Sequence, residues 1–324
     1  MAENRKPVVV FLCLADFAAS AYNACQAVNR VGQIEAHHIV LSQPPYDFPA
    51  EVICPLMYKK IDPTTAINYS KVKELIDKAD LIHCWNNERE GFPLFANLQI
   101  PYKKVKSYTF TGTSYRIGHT VANQNIRNYR DGSRVIVQDP LFLKYLNEFP
   151  VEYIPHAVDT DLLKPNKDKV PNTIGFYNKA DQEYKNYIQL LKQLLQKSYY
   201  PEWKMVAGTT ASWWDRLQEL SRCMFFFQNL SQTLGNPGRS TWEAMAMGVP
   251  TFTYISPDVF KLTSRFDGIP VQSVTVSTLE NVLKIVLNCT DYSQLSKNSR
   301  EWVINNLGYT RVGKEYTKLF EDLL

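Results

Sequence analysis

The chain has 324 residues, 45% of them hydrophobic and 13% aromatic, with 36 Lys and Arg against 32 Asp and Glu for a formal net charge of +4. That length exceeds one ordinary domain and predicts two, each able to bury a core, and no run approaches the roughly 20 apolar residues that span a bilayer. Six scattered cysteines with no C-x-x-C pair speak against a cysteine zinc site and a disulfide framework, and a charge this small does not by itself specify a polyanionic partner.

From the N-terminus, "MAENRKPVVVFLCLADF" carries an apolar run of about eight residues, short for a signal peptide, with Asp16 where a small cleavage-site residue is needed. It reads as a first strand of a soluble, cytoplasmic protein, in the host cytoplasm for a viral one. "LADFAASAYNACQAVN" follows, where Ala18, Ala19 and Ser20 open a helix with side chains small enough for a ligand to approach its first turn. Tight packing of helix on strand explains the same residues equally well. The runs "AHHIVLS", "ADLIHCW", "SRVIVQD" and "VEYIPHAV" predict further strands, and His37, His38 and His83 lie in or beside them without any ligand spacing.

Between Pro101 and Arg134 stand Lys103, Lys104, Lys106, Arg116, Arg127, Arg130 and Arg134 against the single acid Asp131, interleaved with Tyr102, Tyr108, Phe110, Tyr115 and Tyr129. Cations track phosphates and aromatic rings stack on bases, so this stretch suits a nucleic acid; an anionic lipid surface, a phosphorylated carrier or a merely solvated basic face fits it too. The segment "HAVDTDLLKPNKDKVPN", residues 156–172, has the Pro, Asp and Lys content of a linker.

Beyond it, "NTIGFYN", "EWKMVAG", "CMFFFQN" and "PTFTYI" predict a second set of strands, and "QEYKNYIQLLKQLLQK" (182–197) predicts a helix with Ile188, Leu191 and Leu195 on one face. In "GNPGRSTWEAMAMGVPTF" (235–252) the helix begins near Gly238 to Ser240, Gly248 suits the left-handed residue after it, and Pro250 blocks its continuation. A helix start approached through glycines exposes unpaired N–H groups that attract phosphate, with Glu243 one turn in; glycines that only shape a turn are the plainer reading. "KEYTKLFEDLL" forms a final helix. Strands alternating with helices predict parallel α/β sheets, whose ligands bind at the carboxyl ends of the strands.

In this order, the motifs resemble the GT-B glycosyltransferases, specifically the retaining family 4 that includes many "glycosyl transferases group 1". "VEYIPHAVDTDLLKP" is similar to the family segment v-x-P-N-G-V-D-x-x-x-F-x-P, with His156 and Ala157 for Asn and Gly, and "GNPGRSTWEAMAMGVPTF" to E-x-x-G-x-x-x-x-E-A-M-A-x-G-x-P-V. The resemblance implies two Rossmann-like domains with parallel sheets facing across a cleft. Residues 1–150 would bind the acceptor and 151–305 the nucleotide sugar, while a helix in 306–324 crosses back to the first domain.

It also implies that Glu243 bonds the donor ribose and that the N–H groups of Gly238, Arg239, Ser240 and Thr241 meet the diphosphate. Lys179 and Lys185, six residues apart, match its cation pair, and Ala19 and Ser20 its first donor-binding turn. Gly235 stands where the first glutamate of E-x7-E belongs. "YTFTGTSYR" resembles H-G-x-x-x-R, so Gly112 and Arg116 join Lys103 and Lys104 on the acceptor side, with Thr111 in place of the His and His119 as its substitute.

The implied reaction moves a sugar from a nucleotide sugar, UDP-linked, to a hydroxyl with retention. It needs no metal and no cofactor beyond that substrate. Analogy with bacteriophage enzymes that glycosylate hydroxymethylated DNA bases, together with the basic aromatic stretch, narrowly favours a DNA acceptor over an envelope lipid or glycan. A non-catalytic protein that holds a nucleotide sugar is the third reading, favoured by Gly235 and Thr111.

Overall fold

The computed structural model describes residues 5–13, 16, 19–42, 47–54, 63–85, 98–111, 133–146, 150–177, 182–197, 202–208, 212–228, 230, 235, 237–289 and 291–324. The chain divides into two compact units, one of residues 1–157 with 308–324 and the other of 158–307.

Among the described residues of the first unit, seven strands form one parallel sheet: β1 (Val8–Cys13), β2 (Glu35–Val40), β3 (Val52–Ile53), β4 (Leu81–Trp85), β5 (Val105–Phe110), β6 (Arg134–Val137) and β7 (Val151–Tyr153). Their order is β3-β2-β1-β4-β5-β6-β7, and each recorded pairing is parallel, Val9 standing opposite Ala36 on one side and Leu81 on the other. Every residue of β1 is buried, as expected of a parallel strand covered on both faces, whose sequence is a continuous apolar run rather than an alternation. One face is covered by α2 (Pro63–Lys78) through Val72, Leu75 and Ile76. The other is covered by α1 (Ser20–Val31) and by the last helix, α10 (Tyr309–Glu321), through Val312, Tyr316, Leu319 and Phe320. A short α3 (Leu141–Tyr145) lies between β6 and β7.

Small residues bring α1 and α10 close. A Cβ on Gly313 would stand 2.1 Å from the Ala27 carbonyl oxygen, so only glycine permits this approach.

In the second unit β8 (Thr173–Tyr177), β9 (Lys204–Gly208), β10 (Phe225–Phe227), β11 (Thr251–Thr253) and β12 (Gln272–Ser273) pair in parallel in the order β12-β11-β10-β8-β9. The helices are α4 (Gln182–Lys197), α5 (Trp213–Ser221), α6 (Arg239–Ala246), α7 (Pro257–Leu262), α8 (Leu279–Leu287) and α9 (Tyr292–Leu307). Ile188, Leu191 and Leu195 of α4 are buried against Ile174, Phe225 and Phe252, the single face its periodicity predicts. Trp242 of α6 stacks on Trp302 of α9 at 5.7 Å between ring centroids, with Phe266 alongside.

The segment with a linker's composition is packed from Val158 onward. The Asp159 carboxylate accepts from the N–H groups of Asp161 and Leu162, Lys169 donates to the carbonyls of Ser221 and Cys223, and Arg300 binds the carbonyls of Thr160, Leu163 and Ala246. Asp159 and Lys169 thus bond backbone groups, which composition does not reveal.

Candidate donor site

The strand order decides where a site can lie. In β12-β11-β10-β8-β9 the direction of winding reverses between β8 and β10, and ligands of open parallel sheets bind at such a reversal, outside the carboxyl ends of the strands. The residues there are Tyr177 at the end of β8, Gln228 just beyond β10, and the start of α6. The Tyr184 hydroxyl donates to the Phe227 carbonyl at 3.3 Å, bringing the first turn of α4 to the same edge.

Local geometry opens the start of α6. Gly235 takes a left-handed φ of 50°, a conformation costly for a residue with a Cβ, and its carbonyl accepts from Ser256 N at 2.8 Å. Gly238 is the N-cap, extended, with no side-chain cap. A Cβ on Gly238 would meet Gln228 Nε2 at 2.9 Å, and Gln228 Oε1 accepts from the Ser240 hydroxyl at 2.6 Å, so Gln228 props the first turn. Gly248 ends the unit with a φ of 65°.

One turn in, Glu243 is buried. Its Oε1 accepts from Arg239 Nε at 2.9 Å and from Trp213 Nε1 at 3.2 Å, and the Arg239 guanidinium lies 5.9 Å from the Trp213 ring centre. Arg216 sits over the Tyr177 ring at 4.8 Å. Burial, reinforced by the Glu243 charge and opposed by Arg216 and Arg239, pushes the Tyr177 hydroxyl well above the ordinary phenol range. Arg239 Nη1 and Thr241 Oγ1 are buried without a hydrogen-bond partner among the described residues, whereas most buried polar groups have one.

Of the residues expected at this site, Gly238, Arg239, Ser240, Thr241 and Glu243 therefore share one helix start. Lys185 is exposed in the first turn of α4, and Lys179 lies outside the described residues. Tyr177, Trp213, Arg216 and Gln228 were not expected. They come from three separate places in the chain, the end of β8, α5 and the residue after β10, and only the strand order brings them together.

The first unit treats its own helix start differently. The Asp16 carboxylate accepts from Ser20 N at 2.7 Å and Tyr22 N at 3.0 Å, and Ala19 and Ser20 are buried. An internal carboxylate thus sits where the anion-binding N–H groups point, so this turn offers an incoming phosphate a negative charge. Ser20 Oγ also lies 3.3 Å from His156 Nδ1. His38 Nε2 lies 3.5 Å from Asp16, and burial keeps its imidazole below the usual range despite that carboxylate.

Of the residues expected to meet the acceptor, Lys103 is exposed, while Lys104 Nζ donates to the carbonyls of Ile76 and Asp77 at the end of α2. Lys106 donates to the Leu323 carbonyl and Arg134 to Glu152. Three cations of the basic stretch are thus engaged within the fold. Gly112, Arg116 and His119, with Arg127 and Arg130, lie outside the described residues. Among the described residues no three His, Cys, Asp or Glu side chains form a metal-holding group, and no helix is long and apolar enough to cross a membrane.

Against this geometry, the crystal structure of HepE from Anabaena in complex with UDP-glucose is similar with a TM-score of 0.61 at 12% identity, over 97% of this chain and 99% of that one. The fold is GT-B. The N-terminal domain of trehalose-6-phosphate phosphatase from Candida albicans is similar with a TM-score of 0.57 at 10% identity, over 98% and 97% of the two chains. TarM from S. aureus, a mutant in complex with UDP among other ligands, reaches 0.54 at 13% identity over 78% of this chain and 59% of that one. No protein-family model and no curated protein matches the sequence.

Proposed function

We propose that this protein is a glycosyltransferase that takes its sugar from a nucleotide sugar, UDP-linked, held at the start of α6. The observation that carries this reading is the α6 start itself. An uncapped helix N-terminus lies at the winding reversal of the sheet, with a carboxylate one turn in and two buried polar atoms left without partners. The GT-B fold, and a complex of UDP-glucose with a chain of the same fold and length, support the choice of ligand.

In this reading the diphosphate meets the N–H groups of Gly238 to Thr241, and Glu243 accepts from a ribose hydroxyl. Lys185 and Lys179 stabilise the charge that develops as the bond from the sugar's anomeric carbon to the diphosphate oxygen breaks. A bond to the acceptor oxygen forms on the same face, with retention, and the acceptor proton passes to the leaving phosphate. That route uses neither a metal ion nor a protein base, and it suits a site in which Glu243 is already held by Arg239 and Trp213.

The acceptor is a hydroxyl group. A hydroxymethylated DNA base draws its support from the basic aromatic stretch, and the engagement of Lys104, Lys106 and Arg134 inside the fold leaves that support with Lys103, Arg116, Arg127 and Arg130. The decisive experiment incubates the protein with a panel of UDP-sugars and, separately, hydroxymethylcytosine DNA, unmodified DNA and extracted lipid carriers, following UDP release and acceptor mass. A sugar-sized gain on any acceptor supports the transferase. Gain on modified DNA alone selects the DNA reading, gain on lipid alone the envelope reading, and UDP-sugar binding with no release from any of them the non-catalytic one.

A further inference from the structure

Arg239 occupies an unfavourable place for a cation. It is the first residue of α6, where the helix dipole is positive, the N-cap supplies no side-chain acceptor, and the first turn contains no acid. Its side chain is nevertheless only 10% exposed, and Nε donates to Glu243 Oε1. A buried ion pair of this kind contributes little net stability over an apolar pair of the same size, so stability alone does not account for it. Nor does Glu243 use the whole guanidinium, because Nη1 is buried with no partner among the described residues. Thr241 Oγ1, two residues on, is in the same condition.

These features share one electrostatic sense. The end of α6 carries the positive helix pole, its uncapped N–H groups and a guanidinium, against the negative charge of Glu243, already shared between Arg239 Nε and Trp213 Nε1. A nucleoside diphosphate entering here brings at least two negative charges close to a buried carboxylate. Unless that carboxylate is neutralised, it repels the ligand it is meant to hold.

Resting on the donor-site reading above, we infer that the Arg239 side chain is the resident counter-ion of this site: Nε cancels the charge of Glu243 so that the carboxylate can sit beside a diphosphate, and Nη1 donates to a phosphate oxygen of that diphosphate. This assigns the side chain a role separate from the backbone N–H groups of the same turn. It also makes the selectivity of the site for nucleoside diphosphate over nucleoside a property of Arg239.

The test titrates the full chain, wild type and Arg239→Gln, with UDP and with uridine, which shares base and ribose but carries no phosphate. Because a hydrogen bond from a charged donor and the neutralisation of a buried carboxylate are both lost, Arg239→Gln is expected to weaken UDP binding by about tenfold or more while changing uridine binding by less than about threefold. Adding Glu243→Gln to Arg239→Gln removes the unpaired charge and is expected to restore part of the UDP affinity. Equal loss for UDP and uridine would mean that Arg239 only supports the fold, and unchanged UDP affinity would mean that it does not face the phosphates; either overturns the inference.

If Arg239→Gln does not fold, Arg239→Lys decides by the same two titrations, since a point charge without the guanidinium fork loses UDP selectively or the inference fails. A wild-type chain that binds no UDP removes the donor-site reading and this inference with it. UDP binding that is indifferent to Arg239 removes this inference alone.

Discussion

At the scale of single residues, the sequence order suggests a charge-stabilising role for Lys185, which is exposed in the first turn of α4. Lys185→Ala is expected to lower UDP-sugar turnover by at least about 100-fold, the usual cost of removing one stabilising donor from a developing anion, with the thermal midpoint unchanged because the side chain is exposed. Unchanged turnover would remove Lys185 from the site. His83 behaves in the opposite way, as a histidine with a structural duty. Its ring is buried among Phe11, Trp85, Tyr316 and Phe320, with Nδ1 2.7 Å from the Ser107 hydroxyl and Nε2 2.9 Å from that of Thr109. Burial lowers its pKa from 6.5 to about 3. The neutral form is the one the fold accepts, so His83 contributes stability that is complete above pH 6.5 and is lost as pH falls toward 3. Between pH 6.5 and 4.5 that loss is about 2 kcal/mol, and urea titrations should show the stability of wild type falling by that much more than the stability of His83→Asn.

Elements show which patterns were legible. The α4 periodicity, the all-apolar β1 and the Gly238–Gly248 punctuation around α6 could all be read, because each depends on local backbone preference and on one buried face. The two-residue strands β3 and β12 could not, since two residues carry no period. Nor could the closeness of α1 and α10, which rests on a contact between Gly313 and Ala27 across most of the chain. Gly313→Ala forces a Cβ against a backbone carbonyl that cannot rotate away, so we expect it to cost about 1–3 kcal/mol or more and lower the melting temperature of the first unit. A variant that melts with wild type would show that the helices separate at little cost.

For the whole molecule, the C-terminal segment is part of the first unit's core and not an appendage. Val312, Tyr316, Leu319 and Phe320 are buried with the residues of β1 and α1, the Tyr309 hydroxyl donates to Asn23 Oδ1, and Lys106 holds the Leu323 carbonyl. Each large side chain buried is worth roughly 1.5–3 kcal/mol, so four of them compare with the roughly 5–15 kcal/mol that stabilises an ordinary domain. Ending the chain at Leu307 should therefore leave the first unit unfolded, visible as loss of its cooperative transition and rapid proteolysis of residues 5–157. A truncated chain with an intact transition would show that the sheet and α1 suffice.

What the sequence determined by itself follows from short-range physics. Alternating apolar runs and helical periods specify an α/β chain, glycines and proline bound the α6 helix, and Glu243 falls one turn into it because spacing along a helix is geometric. What only the tertiary structure decided is everything that depends on which strands are neighbours. The order β10-β8 makes the winding reversal that brings Tyr177, Trp213, Arg216 and Gln228 to the start of α6, and an internal Asp16 occupies the start of α1. Neither can be read along the chain, because parallel strands joined by crossovers have the same local pattern in every order, and a carboxylate's hydrogen-bond partners are set by where the backbone turns rather than by composition.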